Sequence, residues 1–443
     1  MSRIRNLIAA AALLASAATL QAHAHEQRYQ RPVDKTVRYQ GGRVSIENSF
    51  GEVNVNDGAA GEVDVHAEVR ASTQELENAI KVEIGGSAAG VTIRVVYPEK
   101  IRNASFSVSL DVTVPPNAPL SIKNQFGSTS VDGTRGPVDI TSRQGSVSVQ
   151  NVSGSQKIDN AFGSIDVADV RGDVILRNAN GSIEATRVAG TADIGNRFGS
   201  VQVTDVRTLI LKNSNGSVEA HGIRGAASIE NAFATVDVSD VAGELKVTAQ
   251  NSKIVASDIR GPATITTTFA PIELEKVHGP AKISGSNANI TISDVHGPLS
   301  ADNRFGLVTA KGIRGPVDIE NENGGVTVKD VQGGAKVRTS FGSVFLKDVR
   351  GAIEVENQNG AIAVGIAAPC HDTHLRTSFG PIKVELAAGG YNVNARTSFG
   401  SVNTEIPMTN MRSTGETLTG TIGNGGCKLD LVNSNGNITL EQE

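Results

Sequence analysis

The chain has 443 residues, 48 of them Gly and none Trp, with 4% aromatic side chains and a formal net charge of −5. So mild an acidity, without long runs of one sign, excludes the basic surface that nucleic acid requires. So few large side chains exclude a broad core, while plentiful Gly, Val, Ile, Ser, Asn and Thr favour short strands joined by tight turns.

Residues 1–24 form a signal peptide: Arg3 and Arg5 precede an apolar run from Leu7 to Leu20, and Ala22-His23-Ala24 offers a cleavage site. The run is short for a membrane span, a retained signal anchor being the alternative, and no Cys follows the cleavage site to take a lipid. The expectation is an exported protein, periplasmic, cell-surface or secreted, with no stable membrane span. Loss of Arg3 and Arg5 takes the net charge from −5 to −7.

Residues 25–40 read as a loosely ordered polar leader, and 41–116 as an N-terminal β region in a loose register. "SIENSFGEVNVN" (45–56) already holds the phrase that dominates the rest of the chain, with Phe50 at its centre. Ser72-Thr73-Gln74-Glu75 has capping-box spacing. It predicts a short helix from Thr73 to Ile80 that covers the first coils and guards their open edge. "VTIRVVYP" and "FSVSLDVTVPP" continue as strands.

From residue 117 to 443 the chain is a repeat. Phe126, Phe162, Phe198, Phe233, Phe269, Phe305 and Phe341 follow one another at intervals of 35 or 36 residues. An amide stands midway each time, at Gln144, Asn180, Asn215, Asn251, Asn287 and Asn323, with Asn359 after the last Phe, so the structural period is 18. With the Phe or amide as position zero, Gly follows at +1, apolar residues fall at +3, +5, +8, +12 and +14, Gly returns at +10, and Asn or Thr occupies +16. Alternation at those places marks two half-buried strands per unit. Gly at +1 and +10 punctuates two bends, with Pro137, Pro262, Pro280, Pro298 and Pro316 at the following strand entry.

No such unit can bury its apolar face alone, so units must stack. The fold class is therefore all-β: a parallel β-solenoid, a single-stranded β-helix with coils of about 18 residues that alternate Phe-type and Asn-type units. It is read as right-handed, because a left-handed hexapeptide helix shows an apolar mark every six residues. About 16 coils at ~4.8 Å make a rod roughly 80 Å long. Position zero shares the parity of +12, +14 and +16, so Phe and Asn are both expected to point inward, alternating because consecutive rings would crowd. The +16 residues Asn124, Asn160, Asn178, Asn196 and Asn231 are expected to form a buried amide ladder, side chain to side chain and to the turns. Near the end "RTSFG" at Arg376 and Arg396 lie 20 apart, a polar insertion fills 408–426, and "LDLVNSNGNITL" is read as closing the last coil.

Three features together, the recurrent I-x-N-x-F/N-G-S-V/I-x-V phrase, "VTVPPNAPLSIKNQFGS" leading into the array and "GTIGNGGCKLDLVNSNGNITL" at its end, resemble the bacterial putative-adhesin domain family. The resemblance runs from about Arg43 to Glu441. It implies an exported β-solenoid, and it carries over no functional residues.

Four features invite chemistry. Asp169, Asp258, Asp294 and Asp348 recur at one bend in D-V/I-R/H-G phrases. Carboxylates in a column suit Ca²⁺, but the Arg residues two places on make a solvated ion-pair ladder the better expectation. Cys370, His371, Asp372 and His374 crowd one corner and are competent zinc or copper ligands; their spacing matches no metal signature, so they are weak candidates and no metal or other cofactor is expected. Cys370 and Cys427 fall at nearly the same corner of coils about two steps apart, ~9.6 Å, against the ~7 Å limit for a bridge. The sequence leaves that disulfide open. Catalysis finds no nucleophile elbow, phosphate loop or zinc helix, and coils this uniform build no walled cleft, so no catalytic residue is assigned.

The functional expectation is a non-enzymatic, adhesin-like binding surface for an extended ligand at the cell envelope: a polysaccharide, a cell-wall polymer or a protein. The alternative is a structural or regulatory envelope component, and a polysaccharide-active β-helix enzyme stands third. Terminal coils leave room for self-association.

Overall fold

The computed structural model describes residues 27–101 and 103–442, so the export signal read at 1–24 lies outside them. Three successive coils show how the array is made. Leu120–Phe126, Val138–Gln144 and Gln156–Phe162 lie side by side in parallel, with Leu120 beside Val138 and Val138 beside Gln156. The second strands, Thr129–Asp132, Val147–Gln150 and Ile165–Val170, stack in the same way. The period of 18 is thus the coil, and the rod is a β-solenoid.

Inward residues sit where the repeat places them. Ile165, Val167, Val170, Val174 and Leu176 are all at most 1% exposed. Each such side chain contributes about 1.5–3 kcal/mol by leaving water, and the core is one narrow column of them. The backbone spends its hydrogen bonds on the next coil, as Val147 N–H does on Ser164 O at 2.9 Å. Strand pairing is therefore satisfied everywhere except at the two ends of the rod.

Two bends need unusual backbone. Gly163 at +1 has φ +119°, and a Cβ there would lie 2.2 Å from Gly145 O in the neighbouring coil, so Gly is required both by conformation and by close approach. At +7 the chain enters the left-handed region at Asp169, Asp258, Asp294 and Asp348, with φ of 53–59°. Asp, Asn and Gly tolerate that region best, and Asn151 and Gly222 fill the same place in other coils. Arg187 and Lys276 also take this conformation at the same place, so the left-handed bend favours the Asp column without requiring Asp.

The expected inward Phe is corrected. Phe126, Phe162, Phe198, Phe233, Phe269, Phe305, Phe341, Phe379 and Phe399 are 39% to 75% exposed. Asn160 pairs with Asn178 and Phe162 with Asn180, while the intervening Ala161 drops out of the ladder. The register is the same on both sides, but the chain turns at Ala161 and the parity reverses, so Asn160 is buried at +16 and Phe162 faces out two positions later. The amides at position zero likewise sit at the surface.

The buried amides do not mainly bond one another. Asn160 Nδ2 donates to Gly145 O at 3.1 Å and Gly163 O at 3.2 Å, and Asn178 Nδ2 donates to Gly163 O at 2.9 Å. Each amide therefore ties the Gly corner of its own coil or of the preceding one. A side-chain link of the expected kind joins Asn303 Nδ2 to Asn321 Oδ1 at 3.4 Å.

The N-terminal end departs from expectation in two places. Residues expected as a loose leader form a strand, Tyr29–Arg38, antiparallel to Glu62–Ala71, which in turn pairs antiparallel with Phe106–Val114. The alternation of Val33, Lys35 and Val37 with polar residues supports that pairing, although it is too short to stand out from the leader's polarity. The helix is Gln74–Ala79, with Thr73 rather than Ser72 as its cap: Leu76 N–H donates to Thr73 Oγ1 at 3.2 Å. Arg31 donates to Ile80 O at 2.8 Å and pairs with the Glu77 carboxylate, pinning the outer strand to the helix end.

At the other end, chain order and stacking order part. Thr373–Phe379 is followed in sequence by Tyr391–Phe399, yet the two do not pair. Cys427–Asn435 lies between them, Leu429 facing Thr373 on one side and Val393 on the other. The last segment therefore fills an interior slot and does not close the rod, which corrects the reading of "LDLVNSNGNITL". Within 408–426, Thr409–Ser413 and Thr417–Ile422 form a hairpin whose second strand runs antiparallel along Tyr391–Phe399. That hairpin covers the outermost edge, which would otherwise expose unpaired backbone.

Candidate functional site

The outward face of the first strand of each coil forms a continuous surface along the rod. Its residues stand one, three and five places before position zero, so each coil offers the same three places ~4.8 Å beyond the last. Three hollows lie along it. One of 590 Å³ is lined by Thr141, Arg143, Asp159, Arg177, Arg197 and Lys212. Another of 620 Å³ runs over Pro280, Pro298 and Pro316 toward Lys336, Glu354 and His374. Beside it a third, of 550 Å³, is bounded by Asp302, Glu320, Arg338, Glu356 and Arg376.

Charges in this groove are arranged across coils. Lys336 Nζ lies 2.8 Å from Glu354 Oε1, and Arg338 Nε 3.5 Å from Glu356 Oε2. The Lys336 ammonium, by hydrogen bond, holds the Glu354 carboxyl below its ordinary range. Arg177 binds both the side chain and the backbone of Asp193, at 3.0 and 2.9 Å. All are largely exposed pairs, each worth little to stability, which leaves their donors and acceptors available to a ligand laid along the rod.

Beside the groove runs the file of position zero. Phe162, Asn180, Phe198, Asn215 and Phe233 are paired in turn along the ladder. The rings stand out, whereas the amides fold down onto the backbone: Asn180 Nδ2 donates to Ala161 O at 3.5 Å and Asn435 Nδ2 to Ser378 O at 3.2 Å. Ring and notch alternate. Parity counted through a corner concealed this file. The signal that could have found it is that Phe shares its place with Gln144, Asn180 and Asn215, since a core position accepts Phe and an amide interchangeably only at a cost.

The weak metal candidates are spread over different tasks. Cys370 is joined to Cys427, with Cα atoms 6.0 Å apart. The two coils are adjacent in space because the last segment is inserted, which replaces the two-coil separation counted from the sequence. Asp372 Oδ1 accepts from Lys428 N–H at 2.8 Å, and His374 Nδ1 lies 3.8 Å from Asp430 Oδ2. His371 is half-buried nearby and its carbonyl accepts from Thr373 Oγ1. Among the described residues no three His, Cys, Asp or Glu side chains converge as a metal site would require. Of the four, His374 alone lines the groove. At the Asp corner, Arg187 binds Asp169 through two hydrogen bonds of 2.6 and 2.7 Å, and Arg260 reaches Asp240 at 3.4 Å. No helix among the described residues is long and apolar enough to cross a membrane.

A family model, Toastrack DUF4097, matches residues 42–441. No curated protein matches the sequence. Among solved structures, a putative cell adhesion protein from Clostridium sporogenes is 8% identical, with a TM-score of 0.19 over 94% of this chain and 100% of that one. A putative adhesin from Parabacteroides merdae is 11% identical, with a TM-score of 0.23 over 70% of this chain and 96% of that one. Another from Parabacteroides distasonis is 12% identical, with a TM-score of 0.21 over 65% and 97%.

Proposed function

The chain belongs to the Toastrack DUF4097 family, and from that premise we propose that it is an exported, non-enzymatic rod that binds an extended ligand of the cell envelope along its grooved face. The observation that carries this reading is the row of open hollows along one face, from Thr141 to Ser378, in which charged and hydroxyl side chains recur over walls that are partly apolar, as at Pro280, Pro298 and Pro316. A small molecule is held by an enclosed pocket; an open groove with a ~4.8 Å repeat suits a polymer that meets similar groups again and again. A surface polysaccharide fits best, because Arg, Lys, Asp, Glu, Ser and Thr side chains can all bond hydroxyl groups.

The test is cosedimentation of the mature protein with isolated envelopes and cell-wall polysaccharides, with soluble sugar followed in the same tubes. Pelleting without sugar release is expected. Replacing Arg338, Glu356 and Arg376 with Ser should release the protein from the polymer while leaving its melting temperature unchanged. Pelleting that survives the triple replacement would overturn the groove, and oligosaccharide release would make the protein an enzyme.

A further inference from the structure

The exposed rings remain unexplained by the groove. Two observations show that their alternation is not imposed by packing. Phe50 and Phe126 occupy position zero in directly adjacent coils, and their rings stack with centroids 5.1 Å apart and 3° between planes. Consecutive rings therefore fit. At the C-terminal end the chain order of position zero is Phe379, Phe399, Asn435, which would set two rings side by side. The inserted segment instead places Asn435 between them, opposite Phe379 on one side and Phe399 on the other. The alternation follows space, not sequence. It is a property of the finished surface.

We propose that the ring file is the interface with a second copy of this chain, the two rods lying side by side. A comb with rings ~9.6 Å apart and a notch of equal width between them is complementary to itself after a shift of one coil. A two-fold axis perpendicular to the rod, passing between a Phe coil and an amide coil, sets every ring of one copy over an amide of the other and closes the pair. The area suffices. Nine rings about half exposed, at roughly 200 Å² for a whole side chain, leave on the order of 900 Å² of apolar surface. With all these rings covered, two copies together reach the ~1,200–2,000 Å² of a stable interface. The flanks are mostly uncharged: the place two residues after zero is Ser128, Ser146, Ser164, Ser182, Ser200 and Ser217 in consecutive coils. Depletion of charge is what the centre of an interface requires. The coils at both ends of the rod are covered by antiparallel strands, and the comb lies along the side.

Sedimentation velocity and small-angle scattering on the full mature chain test this with two variants. The first replaces Phe198, Phe233, Phe269 and Phe305 with Ser; all four rings are 45% to 56% exposed, so folding, checked by circular dichroism, is retained. The second fills two notches whose amides fold down onto the backbone, Asn180→Phe and Asn215→Phe, which adds apolar surface but removes the complementarity. The wild type is expected at twice the chain mass with the length of a single rod, and both variants at the single mass. A wild type that stays monomeric up to its solubility limit would overturn the proposal. So would a dimer indifferent to loss of the rings, one of doubled length, or one tightened by the filled notches. Loss of polysaccharide pelleting by the ring variant of a monomeric protein would assign the comb to the polymer instead.

Discussion

Between Leu120 and Leu386 each coil stacks on the one before it in sequence, whereas beyond Leu386 the chain leaves a slot, builds the outermost coil and returns to fill the slot. The contrast separates two kinds of information. The shape of a coil is local: alternation, a Gly corner and a left-handed bend fix it. The order of coils is not local, because any coil of this shape can stack on any other. At the end that freedom is settled by the disulfide between Cys370 and Cys427 and by the hairpin over Tyr391–Phe399. In the array it is settled by the shortness of the connections.

The comparison predicts effects of graded size. The largest lies in the array. Gly163→Val places a branched side chain where a Cβ already lies 2.2 Å from Gly145 O, at φ +119°, and should cost about 3 kcal/mol or more. Gly415→Ala, in the hairpin turn at φ +86° with open space around it, should cost only about 1 kcal/mol. Urea unfolding of both variants checks the ratio.

Next comes the bridge. Cys427→Ser frees a loop closed over 57 residues and should cost about 2–4 kcal/mol, confined to the last coils because stability in a stacked repeat is nearly local. Limited proteolysis should then cut between 388 and 426 while leaving an intact fragment through about Leu386.

Smaller again is the buried amide. Asn178→Ala removes the donor to Gly163 O and should cost about 1–3 kcal/mol. Asn178→Thr should recover part of that loss, because Thr377 fills the same place near the end and its Oγ1 lies 3.4 Å from Gly360 O. Thermal melts of the two variants measure the difference.

The smallest effect distinguishes the N-terminal sheet from the array by pH. The hydrogen bond that His66 donates to Asp34 raises the pKa of His66, so its contribution is complete below about 6.5 and fades as pH rises through the raised value. The hydrogen bond from Arg187 lowers the pKa of Asp169, so its contribution is present above the ordinary carboxylate range and fades only in acid. Between pH 6 and 8 the protection factors of amides in Tyr29–Arg38, taken against the intrinsic rise of exchange with pH, should fall slightly, while those in coils around Asp169 stay constant.

Most of the rod was legible in the sequence, because a period of 18 with two alternating strands admits few other objects. The buried +3, +5, +8, +12 and +14 positions and the Gly corners came directly from it. The direction of Phe162 did not, since parity was carried across a corner where Ala161 leaves the ladder. Nor did the insertion of Cys427–Asn435, because a repeat that makes coils alike also erases the signal of their order. Of the candidate site, His374 was singled out for its metal-ligand chemistry and proves instead to line the groove. The groove itself arises only when coils stack and columns form.

The central claim is that the rod carries two separable surfaces, a groove for a polymer and a comb for its own copy. The most direct measurement is cosedimentation of the variant lacking the Phe198, Phe233, Phe269 and Phe305 rings with isolated envelopes. The account predicts that this monomeric variant still pellets and resists salt washing as each wild-type chain does. Its release into the supernatant, with the groove residues Arg338, Glu356 and Arg376 intact, would contradict the division of labour and make the comb the polymer site.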